Sequence, residues 1–277
     1  MEGLELSPIY VDTGDARWLI SAVNSVLARH DNGGADIKTL EISFIFGAFK
    51  DRTVSVFVRH DHAEDIKSAH VTAWLRFAER RVTGHFTLEV PMLPRPMCRE
   101  ELAVEVPMLS RPMCREELAA AAKRSVLHVG LCSSAMFESM WLRLGNAKLT
   151  VPTATAGAFG ALTDVRLSTI KVDAGSGRRL CHLLSSSRCP QQRNLTLQSI
   201  IGVTALRLDA AGTLETLKLS RLPDLTALEV DAPGLQELTV QNISLDLATA
   251  VRISAPRLQV LTCPDRTAPP RIASMSK

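Results

Sequence analysis

Residues 214–240 read LETLKLSRLPDLTALEVDAPGLQELTV. Within them a six-residue unit, Leu-x-x-Leu-x-Leu with Val allowed at the last position, occurs three times: Leu214 to Leu219, Leu225 to Val230 and Leu235 to Val240. A fourth copy runs from Leu258 to Cys263, and a looser one ends in Leu206-Arg-Leu208. Apolar residues alternating with polar ones describe a short strand buried on one face. The middle leucines, 206, 217, 228 and 238, are 11, 11 and 10 positions apart, so two such strands fit one turn of about 22 residues. A turn of that size cannot bury its own leucines and must stack on its neighbours.

That length and pattern are those of a leucine-rich repeat. The expected fold is α/β: a leucine-rich-repeat solenoid over residues 15–265 with a parallel sheet, flanked by flexible tails at 1–14 and 266–277. The chain has 277 residues, 46% of them apolar, which excludes wholesale disorder. Aromatic residues make up only 4%, which suits stacked coils filled by aliphatic side chains. The 32 basic and 29 acidic residues leave a net charge of +3 and no basic run able to track a phosphate backbone. The N-terminus lacks a basic segment followed by an apolar one, and no stretch approaches the ~18 apolar residues of a membrane span. A cytoplasmic or nuclear protein is expected, with its six cysteines as buried or partly buried thiols.

Toward the N-terminus the pattern changes. Asp15 to His30 sets Leu19, Ala22, Val23, Val26 and Leu27 at helical spacing, with Asn32-Gly33-Gly34 as the stop. A strand is expected at Ile37 to Ile42. A second helix is predicted over Ala63 to Arg81, with Val71, Trp74, Leu75 and Ala78 on one stripe and Gly84 closing it, before a strand at Phe86 to Val90. Helical returns are therefore expected mainly in the N-terminal coils, and strand or turn returns in the C-terminal ones. Residues 88–103, LEVPMLPRPMCREELA, are succeeded directly by the near-copy VEVPMLSRPMCREELA at 104–119. Setting one copy aside makes the interval from Leu88 to Leu127 a normal coil, so the second copy is expected to loop out. Beyond it, the strand centres are placed at Leu127, Leu142, Val165, Leu195, Leu217, Leu238 and Leu261, with a helical return over Arg178 to Ser185.

Several segments, in order, carry a resemblance: WLRFAERRVTGHFTLEVP (74–91), MWLRLGNAKLTVP (140–152), AGAFGALTDVRLS (156–168), LLSSSRCPQQRNLTL (183–197), LPDLTALEVDAPGLQELTV (222–240) and ISAPRLQVL (253–261). Together they resemble the leucine-rich-repeat region of plant F-box/LRR proteins of the F-box/FBD-like type, especially those of grasses. The resemblance implies repeats that bind a protein to be ubiquitinated, and an F-box that binds the Skp-type adaptor of a cullin-RING ligase. No F-box pattern precedes residue 15, so this chain alone is expected not to bind the adaptor; the alternative is an interaction or decoy protein with no ligase link. The family's leucine slot after Cys189-Pro is filled by Gln192.

No set of residues makes a convincing catalytic or metal centre. Arg59-His60-Asp61-His62 offers zinc-type ligands but no further spaced ones, and reads as a helix lead-in. Cys181-His182, with Cys189, cannot act as a thiolate and base, because adjacent helical side chains point about 100° apart. Gly175-Ser-Gly177 lacks the remaining glycines of a phosphate-binding loop. No enzyme activity, cofactor or metal is expected. The candidate partner-binding residues are the polar ones alternating with strand leucines: Arg143, Arg166, Thr196, Lys218 and Thr239, expected at one height across the sheet, with Trp141 as the candidate anchor.

Overall fold

In the computed structural model, which describes residues 16–31, 36–44, 66–90, 127–131, 136–151, 159–173, 175–210, 212–243 and 250–263, every leucine of the 214–240 stretch is buried. Period-two alternation achieves this: Leu217 and Leu219 turn inward while Lys218 between them faces out. The main parallel sheet holds, in spatial order, β1 (Ile37–Ser43), β2 (Val82–Val90), β4 (Ser139–Thr150), β5 (Asp164–Val172), β6 (Asn194–Ile201), β8 (Thr216–Ser220), β10 (Glu237–Gln241) and β12 (Val260–Thr262), with β3 (His128–Gly130) joined to the far end of β4. A second parallel sheet holds β7 (Ala205–Asp209), β9 (Ala227–Asp231) and β11 (Ala250–Ser254). From β6 onward, successive strands alternate between the two sheets.

Register makes the packing explicit. One inward ladder runs Leu40, Phe86, Met140, Val165, Leu195, Leu217, Leu238, Leu261, and a second runs Ile42, Leu88, Leu142, Leu167, Leu197, Leu219, Val240. All but Leu261 are buried, in one continuous core shared with the second sheet and the helices. The backbone continues the ladder below each strand: the Arg193 carbonyl, for instance, accepts the amides of Glu215 at 2.8 Å and Thr216 at 3.0 Å, and the Glu215 carbonyl those of Gln236 and Glu237. These bonds satisfy polar backbone groups that stacking would otherwise strand away from water. Parallel pairing, wide returns and near-constant strand spacing are consistent with a solenoid-like α/β path.

Helices fill the early returns. α1 (Ala16–Asp31) buries Leu19, Ile20 and Leu27, and α2 (Ser68–Arg81), between β1 and β2, buries Val71, Trp74, Leu75, Phe77 and Ala78. Trp74 ties these elements together: its indole N–H donates to Asn24 Oδ1 at 2.9 Å, and its ring stacks on Phe44 with centroids 5.2 Å apart. α3 (Ser176–Leu183) lies between β5 and β6 and buries Leu180, Cys181 and Leu183. No helix among the described residues is long and apolar enough to cross a membrane.

The structure departs from the sequence pattern at several points. Gly84 does not close α2, because β2 starts at Val82, directly after the helix; the glycine is required within the strand, where a Cβ would run into the Lys38 carbonyl oxygen. The helix itself begins at Ser68 rather than Ala63, after non-helical Ile66 and Lys67. Leu127 is not the centre of a main strand, since β2 pairs directly with β4 and β3, centred on Val129, pairs only with Lys148–Thr150. Leu142 pairs with Leu167 rather than Val165, which faces Met140. The stop at 32–34, the 104–119 copy, the Arg59–His62 cluster and both tails lie outside the described residues. Of the cysteines, Cys181 and Cys189 are buried, whereas Cys263 is exposed, contrary to expectation.

A column of left-handed residues bends the backbone locally, within β5 and β6 and just past the ends of β8 and β10. Thr169, Ser199, Arg221 and Asn242 have φ of 55°, 52°, 53° and 49°, each two positions beyond the second inward residue of its strand. A single left-handed residue shifts the alternation by one. In β5, Val165 and Leu167 point inward before it, and Ile170 and Val172 after it.

Candidate functional site

The outward face of the main sheet carries three rows of side chains up to this bend. The middle row runs Glu41, Thr87, Trp141, Arg166, Thr196, Lys218, Thr239 and Thr262 across eight strands. At ~4.8 Å per strand it spans roughly 34 Å. Arg166, Thr196, Lys218 and Thr239 stand at one height, as the alternation predicts. Arg143 does not: it lies one step further along, between Glu89 and Ser168, and Trp141 takes the place expected for it. The misplacement comes from β4, whose inward Met140, Leu142 and Leu144 offer three candidate centres that sequence spacing cannot rank.

Trp141 is 37% exposed although it stands within the sheet rather than at its rim. The Arg166 guanidinium carbon lies 5.6 Å from its ring centroid, a cation–π distance that holds both side chains over the strands. One row below, the Asp164 carboxylate accepts Asn194 Nδ2 at 2.6 Å and Thr163 Oγ1 at 2.7 Å. Above, Glu89 accepts the Ser43 hydroxyl at 2.8 Å and neighbours Arg143 in register. The outcome is a solvated face with a fixed aromatic centre. The Asp164–Asn194 pair was not anticipated, though its alternation with Val165 and Leu195 marks both residues as outward.

A second group lies beyond the bend. His128, Lys148 and Lys171 are register neighbours on β3, β4 and β5, and with Asp173 they line a cleft of about 310 Å³. Lys148 is paired with Asp173 at 2.8 Å. Sequence alternation misses Lys148 and Lys171 because it inverts between Leu144 and Ala147 in β4 and at Thr169 in β5.

The cysteine and glycine candidates lie elsewhere. The Cys181 and Cys189 thiols donate to the Ala205 and Leu183 carbonyls, at 3.8 and 3.3 Å. Burial pushes the Cys181 pKa up and that of Cys189 to about 12, so neither supplies a thiolate at neutral pH. His182 points to solvent. Gly175, at φ 89°, caps α3 without a side-chain hydrogen bond. Compared with family models, with curated proteins and with solved structures, the chain matches none.

Proposed function

We propose that this protein is a leucine-rich-repeat recognition module that acts by binding a protein partner across the outward face of its main sheet. The observation that carries the reading is the unbroken middle row, with an exposed tryptophan held within it beside Arg166. Aromatic and arginine side chains are the usual anchors of protein interfaces. The segment order resembling plant F-box/LRR proteins supports the partner being a protein to be ubiquitinated.

A photo-crosslinking residue in place of Thr196, on the face, tests the binding surface against one in place of Ala227, on the second sheet. The same partner should be captured from position 196 and not from 227. Capture only from 227 would reject the face. Binding of purified Skp-type adaptor to this chain is measured separately, and no saturable binding is expected.

A further inference from the structure

The charges on the four central strands of the same face, β4, β5, β6 and β8, indicate the kind of partner, an inference that rests on that face being the binding surface. On the four central strands, up to the bend, the outward charged residues are Arg143, Arg166, Lys218 and Asp164. Asp164 has a hydrogen bond on each carboxylate oxygen, and Arg143 stands beside Glu89. That leaves Arg166 and Lys218, both exposed and two strands apart in one row, with Thr196 between them and Trp141 on the other side of Arg166.

We infer that the bound segment is an acidic stretch of polypeptide lying across the strands. Two strand spacings set Arg166 and Lys218 ~10 Å apart, which matches carboxylates three residues apart on a polyproline-II chain, whose threefold period returns every third side chain to one face at ~3.1 Å per residue. An apolar residue just before the first carboxylate would lie on Trp141, whose ring presents the only large apolar surface of the middle row. A nucleic-acid strand fits less well, since these four strands offer only two such cations and the carboxylate of Asp164 stands one row below them.

The test uses the whole chain and three fluorescent probes: a ten-residue peptide with one leucine ahead of five glutamates, its glutamine counterpart, and a ten-nucleotide oligothymidylate. The glutamate peptide should bind at least tenfold tighter than the glutamine peptide and weaken as salt is raised. Arg166→Glu with Lys218→Glu should cost at least tenfold, and Arg166→Gln with Lys218→Gln a smaller but measurable amount. Arg178→Glu with Arg252→Glu changes the net charge equally, away from the face, and should leave binding unchanged. Equal binding of the glutamate and glutamine peptides, no binding of either, indifference to the Arg166 and Lys218 changes, or tighter binding of oligothymidylate at those residues would overturn the inference. Crosslinking from position 196 to a partner segment free of carboxylates would also overturn it while leaving the binding face intact; crosslinking from 227 alone would remove the face itself.

Discussion

Leu238 and Leu261 are register neighbours in one ladder, yet Leu238 is fully buried and Leu261 is 39% exposed. The sequence treats them alike, each as the middle leucine of the same unit. What separates them is the next strand: β10 is covered on both sides, by β8 and β12, whereas β12 forms the edge of the sheet among the described residues. Burial in stacked strands belongs to the neighbour as much as to the residue, so a local pattern cannot reveal it. Leu238→Ala should cost ~2–5 kcal/mol through the cavity it leaves. Leu261→Ala should cost about 1 kcal/mol at most, since little apolar area is lost. Urea unfolding of the two variants measures both; equal losses would mean that the edge is covered after all.

Along each strand, alternation was legible wherever it ran uninterrupted. It placed Arg166, Thr196, Lys218 and Thr239 outward and the strand leucines inward, as found. It did not fix which outward residue of β4 meets which of β5, because register is a property of pairing and not of either strand. The slot three positions before each strand centre repeats with equal regularity: Phe137, Leu162, Leu214 and Leu235 are buried there, each 1% exposed or less. Gln192 fills the same slot before β6, 2% exposed, and its Nε2 has no hydrogen-bond partner among the described residues. A buried donor without an acceptor costs ~1–3 kcal/mol, and leucine is close to glutamine in size. Gln192→Leu should therefore stabilise the protein by about 1 kcal/mol or more, read as a higher urea midpoint with an unchanged slope. A lower midpoint would show that the amide is satisfied and useful where it stands.

Across the fold as a unit, the strongest constraint on the duplicated segment is that β2 and β4 are direct neighbours, with Leu88 opposite Leu142. β2 and β4 therefore pair with no strand between them, and residues 104–119, which lie outside the described residues, fall between Val90 and Leu127 in the sequence. Sequence counting took Leu127 for the next main strand and so assigned the coil wrongly; β3 pairs beyond the end of β2, on the far part of β4. A connection can be shortened without disturbing the register of strands it does not separate. Since halving a flexible loop recovers only ~0.6 kcal/mol of closure entropy, deletion of Val104 to Ala119 should leave stability unchanged or slightly raised. For a domain of this size that amounts to a shift of about 2–4 °C at most in the thermal midpoint. Peptide binding to the Trp141–Lys218 face should also be unaltered, because both residues lie on strands after the deletion and keep their partners. A midpoint lowered by ~10 °C or more, well outside the range of loop entropy, would show that the second copy packs against the core.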